Sequence, residues 1–234
     1  MEFKIKIDEA IKDRVNKILL KLEKSIHISD CEFIIAGNAL NNVNRSTDID
    51  IFVLDDMQEK NLEDALKAWS VHSTRNAITY EIGTNIVQLC KYRYGSLKGL
   101  VDSFDYSHIQ IGVLIKNLVP EEVYFTEEYI EAKILGNSTY MGSKYPLSSI
   151  IRALKYKEYG ELSKNRMVMS VILAVTDLIE RGVEDYDDFK DQLDAVDLGV
   201  LPSDFKDFGD RKDRLTDLFN LLVTDKNLQY KPKE

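Results

Sequence analysis

Cysteine is scarce in this chain, and that scarcity excludes two kinds of architecture. Cys31 and Cys90 are its only two cysteines, and without a CxxC spacing they form neither a zinc site nor a disulfide framework. A reduced, cytoplasmic setting is the expectation that follows. Four prolines and eleven glycines in 234 residues argue against long disordered tracts. Long apolar runs are missing as well, so nothing reads as a membrane span. The opening Met1-Glu2-Phe3-Lys4-Ile5-Lys6-Ile7 alternates charge where a signal peptide needs a continuous apolar stretch.

Positive charge is in deficit. The net charge of −9 excludes indiscriminate binding along a duplex, which needs an excess of Lys and Arg. The imbalance is local, however. Residues 144–166 carry a net +4 and residues 177–210 a net −9, so a confined phosphate-binding surface stays open. At 44% hydrophobic and 30% charged, the chain is ordinary globular material for one domain or two small ones.

Periodicity divides it. Ile11, Val15, Ile18, Leu19 and Leu22 recur at helical spacing and predict a helix over 8–26. Short strands are predicted at 31–36, 48–54, 77–82, 85–92 and 105–115, with Gly83-Thr84 as a tight turn and helices at 59–69 and 97–103. From Pro146, a residue suited to a helix start, the pattern is helical: 146–156, 167–179 with a stop at Arg181-Gly182, then 185–193 and 211–222. This is an α+β first part followed by an all-helical one, with punctuation at Gly136-Asn137-Ser138 and Gly142-Ser143. The expected domains are 1–143 and 144–234.

Chemistry concentrates in Phe33-Ile34-Ile35-Ala36-Gly37-Asn38-Ala39-Leu40 and Asn44-Arg45-Ser46-Thr47-Asp48-Ile49-Asp50-Ile51-Phe52-Val53. Strand residues two apart share a face, so Asp48 and Asp50 stand side by side while Ile49, Ile51 and Val53 turn to the core. Two carboxylates so placed repel unless a cation lies between them. Oxygen-only donors after a phosphate-sized turn suggest magnesium and a nucleoside triphosphate. Gly37 and Asn38, with backbone amides free at a helix start, are candidate phosphate contacts. Arg45 is a further one. A third carboxylate from a neighbouring strand would close the metal cage, and Asp105 is the choice, with Asp102 and Glu81 as weaker alternatives.

The pattern Ala36-Gly37-Asn38-Ala39 followed by Thr47-Asp48-Ile49-Asp50-Ile51-Phe52-Val53 resembles the nucleotidyltransferase superfamily, the DNA-polymerase-β-like fold. Within it, the pattern is similar to the head domain of bacterial poly(A) polymerases and CCA-adding enzymes. The resemblance covers residues 31–54 and extends to 105–111. It implies a mixed sheet flanked by helices, followed by a helical C-terminal region. It also implies two magnesium ions on Asp48, Asp50 and Asp105, and transfer of a nucleoside monophosphate from an NTP to a hydroxyl. Residues 144–156 resemble the first helix after such a head, where basic residues approach the phosphates; Arg152 and Lys155, three apart, are the candidates. Two departures bear on the acceptor. Asn41-Asn42 stands where the tRNA-acting branch has Arg-Asp, and no Glu-Asp-x-x-Arg motif follows downstream. An RNA 3′ end and a small molecule both remain open as acceptors.

Plainer readings compete. His108, on a predicted strand, is more simply a packed core residue than a base, and His27 and His72 read as surface residues. Tyr92 and Tyr94 fit either base stacking or sheet packing. The basic and acidic stretches are also readable as solvated faces. A second class of function is a catalytically inactive module of the same fold that binds nucleotide or a protein partner.

Overall fold

A computed structural model describes residues 2–23, 31–41, 48–73 and 76–182, together with Asp188 and Gln192. Arg45, His27 and the expected helix at 211–222 lie outside the described residues, as does most of 185–193.

One seven-stranded mixed sheet organises the described chain, in the order β3-β4-β5-β2-β1-β6-β7. Its strands are β1 (Glu32–Ala36), β2 (Ile49–Phe52), β3 (Ser70–Ser73), β4 (Ala77–Ile82), β5 (Asn85–Cys90), β6 (Ile111–Lys116) and β7 (Val119–Phe125). Every neighbouring pair is antiparallel except β2 and β5, which run parallel. The helices are α1 (Glu2–Glu23), α2 (Asp56–Leu66), α3 (Leu97–Asp102), α4 (Glu127–Leu135), α5 (Pro146–Glu158) and α6 (Lys164–Arg181).

Helices pack on both faces of the sheet. The five apolar residues that predicted α1 are all buried, in one core with Phe33, Ile35, Ile49, Ile51, Val87, Leu89 and Val113, to which α2 adds Leu62 and Leu66. On the other face Leu97, Leu100 and Val101 of α3 pack over Ile34, Ala36 and Phe52. That contact needs Gly112, because a Cβ there would lie 2.9 Å from both Leu97 Cδ1 and Val101 Cγ2.

Local signals explain the helix ends. Asp55 accepts a hydrogen bond from the Gln58 amide at 2.8 Å and caps α2. Pro146 occupies the first turn of α5, and Gly182 ends α6, both as expected. Three elements were not anticipated. β3 is exposed at all four positions, so it shows no buried alternation. β7 holds Pro120 and two glutamates, which an edge strand tolerates. α4 is short; its start rests on Thr126, which caps the Tyr129 amide at 3.1 Å, and its end on Gly136 at φ +59°.

One expected strand begins late. Asp105 does not open a strand: residues 107–109 form a 3-10 turn and β6 starts at Ile111. Side-chain bonding breaks the extended run. His108 Nδ1 meets Ser138 Oγ at 2.7 Å, and Gln110 Nε2 donates to the Phe104 carbonyl at 3.1 Å.

A further core joins Tyr106, Ile109 and Tyr140 to Ala153, Tyr156, Leu162 and Ala174. It straddles the expected boundary at 143/144, so α5 and α6 share a core with the segments that precede them. No helix among the described residues is long and apolar enough to cross a membrane.

Candidate active site around Asp48 and Asp50

Asp48 and Asp50 sit at the start of β2, both half-buried. Between and after them Ile49, Ile51 and Val53 are buried in the main core, so the carboxylates occupy the opposite face, as the two-residue repeat requires. Sheet register places a continuous row beside Asp50. It pairs with Ala36 of β1 on one side and Gln88 of β5 on the other, and the row runs on to Gly112 and Thr79. Ala36 and Gly112 bring no polar side chain. Gln88 does: its Nε2 donates to Asp48 Oδ2 at 3.5 Å.

The turn after β1 closes on the same place. Gly37 has φ +78°, and a Cβ built on it would lie 3.9 Å from Asp50 Oδ2. A glycine is favoured there by backbone conformation, and its bareness keeps the approach to the carboxylate open. Asn38, half-buried, accepts the Asn41 amide at 2.9 Å and so closes a 3-10 turn over Gly37–Leu40. Arg14 of α1 donates to the Leu40 carbonyl, and the Asn41 side-chain amide to the His108 carbonyl. The turn is thereby tied to two elements behind it.

Asp105 is placed differently from the expectation that made it the third metal-binding carboxylate. It is 5% exposed and receives Ser149 Oγ at 2.6 Å and Arg152 Nε at 2.8 Å, with Arg152 Nη2 at 2.8 Å. Two residues expected in separate roles, Asp105 on metal and Arg152 on phosphate, are therefore held against each other. Burial, the largest single influence, would lower the guanidinium's pKa, but the Asp105 charge and hydrogen bond together with Tyr156 and Tyr106 raise it above the ordinary value. Among the described residues, no three His, Cys, Asp or Glu side chains converge on one point. The weaker alternatives are elsewhere: Asp102, at the end of α3, accepts from Lys98 and from the Tyr124 hydroxyl of β7, and Glu81 is exposed on β4.

α5 and the Asp48–Asp50 pair are linked electrostatically through Tyr156. The Tyr156 hydroxyl is pushed above its ordinary pKa by burial first and then by the Asp105 charge, with Asp50 adding in the same direction. Lys155, half-buried, has its ammonium 6.0 Å over the Tyr159 ring. The Cys90 thiol, two residues beyond Gln88, is raised by burial and then by Asp50.

His108 is a core residue. It is 1% exposed, lies edge-on to Tyr156 at 4.3 Å, and has its pKa lowered to about 3 by burial and then by Lys133. His72 is exposed, as expected. Tyr92 and Tyr94 lie beyond the end of β5 and not in the sheet, and the Tyr92 ring is 6.4 Å from Tyr94 and 5.9 Å from Tyr145 between centroids.

The donor set around Asp48 and Asp50 suits a hard cation. It consists of half-buried carboxylate oxygens on one face, and magnesium is commonly held by one or two carboxylates together with substrate phosphates rather than by an all-protein cage. Gln88 is the member that sequence reasoning missed. Its signal was a polar residue within the strand Asn85–Cys90; which carboxylate it stands beside depends on pairing.

No family model and no curated protein matches the chain. Solved structures do. The chain is similar to the Thermotoga maritima CCA-adding enzyme complexed with tRNA(CCA), at 14% identity over 97% of this chain and 57% of that one, with a TM-score of 0.50. A CCA-adding enzyme with CTP matches at 13% identity over 97% and 54%, with a TM-score of 0.49. A tRNA-processing enzyme with CTP matches at 16% identity over 69% and 46%, with a TM-score of 0.45. The chain thus spans about half the length of these structures. At such identities the likeness is one of architecture, and the sheet, its flanking helices and the TM-score of 0.50 make this chain's fold a nucleotidyltransferase-type fold.

Proposed function

We propose that the chain is a magnesium-dependent nucleotidyltransferase that moves a nucleoside monophosphate from an NTP to a hydroxyl acceptor and releases pyrophosphate. The observation that carries this reading is the placement of Asp48 and Asp50, both half-buried, on one face of β2, next to the Gly37 turn. Asp48 and Asp50 would hold two magnesium ions, which when bound supply neutralisation of the triphosphate charge and acidification of the acceptor hydroxyl. Gly37, which has no Cβ beside Asp50, and the half-buried Asn38 are the backbone positions the triphosphate would approach. Lys155 and Arg45 are the cations for its phosphates. Arg152 keeps α5 against the head through Asp105 and so holds Lys155 in place. The resembling folds and the basic stretch at 144–166 favour an RNA 3′ end as acceptor; the net charge of −9 favours a small molecule.

Incubation with α-labelled NTPs, Mg²⁺, and total RNA or a small-molecule extract tests the reading, because the labelled product names the acceptor. No label transfer to any acceptor overturns it. One observation favours a second reading, an inactive module that binds nucleotide: Asp105 is engaged by Arg152 and Ser149. Calorimetric NTP binding without pyrophosphate release would select that alternative.

A further inference from the structure

β2 and β5 form the parallel pair of the sheet, and they pair in step: Ile49 with Val87, Asp50 with Gln88, Ile51 with Leu89. Val87 and Leu89 are fully buried in the main core, so Gln88 leaves the sheet on the Asp50 face. The β1 side of Asp50 offers the methyl of Ala36, and beyond it Gly112 is covered by α3. The β5 side offers an amide that reaches Asp48.

We infer that Gln88 is the third polar member of the Asp48–Asp50 site, a positioning residue whose side-chain amide orients the Asp48 carboxylate beside Asp50 and holds the site at two negative charges. The inference rests on the function proposed above and specifies that site's composition. An amide in this place has two consequences. Its N–H donates to Asp48 and limits the carboxylate's rotation, which matters because two like charges on one face otherwise turn apart. Its neutrality leaves the pair without a third carboxylate among the described residues. A divalent cation then binds the protein alone weakly and depends on phosphate oxygens to complete its shell. A glutamate of the same length would reverse this, adding charge that repels the pair when empty and strengthens it when filled.

Binding of Mn²⁺ alone, read by electron paramagnetic resonance with thermal melts alongside, tests the inference without any turnover. Gln88→Glu is expected to bind Mn²⁺ about tenfold more tightly than wild type and to melt lower in the absence of metal. Gln88→Ala is expected to bind about tenfold more weakly, in the range seen when a group supporting a metal ligand is removed. Gln88→Asn, which keeps the amide but shortens its reach, serves where alanine impairs folding and is expected to weaken binding likewise. Wild-type affinity in all three Gln88 variants, with binding lost in Asp48→Asn, overturns the role of Gln88 and leaves the metal site standing. Unchanged binding in Asp48→Asn overturns the site itself, and with it both readings.

Discussion

The Arg152 guanidinium lies against the Asp105 carboxylate, with Nε and Nη2 each 2.8 Å from Oδ2. The pair joins α5 to the loop before β6. Ser149, one turn earlier on α5, donates to the same oxygen at 2.6 Å, and the neighbouring Tyr106 hydroxyl donates to the Ser149 carbonyl at 2.9 Å. Removing Arg152 leaves Asp105 buried without its counter-charge. Arg152→Ala is therefore expected to cost about 2–3 kcal/mol, less than for a fully enclosed pair because the Arg152 side chain is 29% exposed. Urea denaturation measures it. In a double-mutant cycle Arg152→Met with Asp105→Asn should lose less than the two single changes summed. Strict additivity would show that the pair has no coupling.

Asp48→Asn and Asp50→Asn are each expected to lower nucleotidyl transfer about 100-fold or more, while the melting temperature stays level or rises because a like-charge contact is relieved. Label transfer and calorimetry on the same preparations check both halves. A variant that retains wild-type transfer would remove its aspartate from the site.

Two glycines should fail for different reasons when changed to alanine. Gly37→Ala meets no clash, since its Cβ would be 3.9 Å from the nearest atom, but its φ of +78° costs about 1–2 kcal/mol for an L side chain. Gly112→Ala has contacts at 2.9 Å to two α3 side chains and should cost about 1–3 kcal/mol through overpacking. Trimming Leu97 to alanine beside Gly112→Ala should recover part of that loss, whereas no change in α3 should rescue Gly37→Ala. Chemical denaturation of the two pairs distinguishes space from backbone strain.

Burial depresses the His108 pKa from 6.5 to about 3. In that window the unfolded chain binds a proton at this residue that the folded chain does not. Stability attributable to His108 is therefore complete above about pH 6.5 and declines as pH falls towards 3, by up to about 1.4 kcal/mol per pH unit. Carboxylates contribute to acid sensitivity as well, so the comparison with His108→Gln isolates this residue. The variant's denaturation midpoint should fall less steeply between pH 6.5 and 4; parallel curves would count against a neutral buried imidazole.

What was legible from residues alone was what depends on neighbours in the chain. The α1 stripe, the β4–β5 hairpin, the Pro146 start and the Gly182 stop rest on periodicity and caps within a few positions. β3 was not legible because an exposed edge strand has no buried face to betray it. The strand expected from Asp105 is not found because Ser138, which bonds His108 and helps break the extended run, lies 30 positions away.

The same division runs through the site. That Asp48 and Asp50 share a face is a consequence of strand geometry, and the sequence alone determines it. The company they keep is another matter. Gln88 stands beside Asp50 because β2 pairs in parallel with β5 across an intervening helix and two strands. Asp105 is instead drawn to Arg152, 47 positions on. No local rule ranks these partners. A buried carboxylate takes the counter-charge that folding brings within reach, and only the tertiary structure decided that Asp105 would take Arg152 and that an amide would stand beside the aspartate pair.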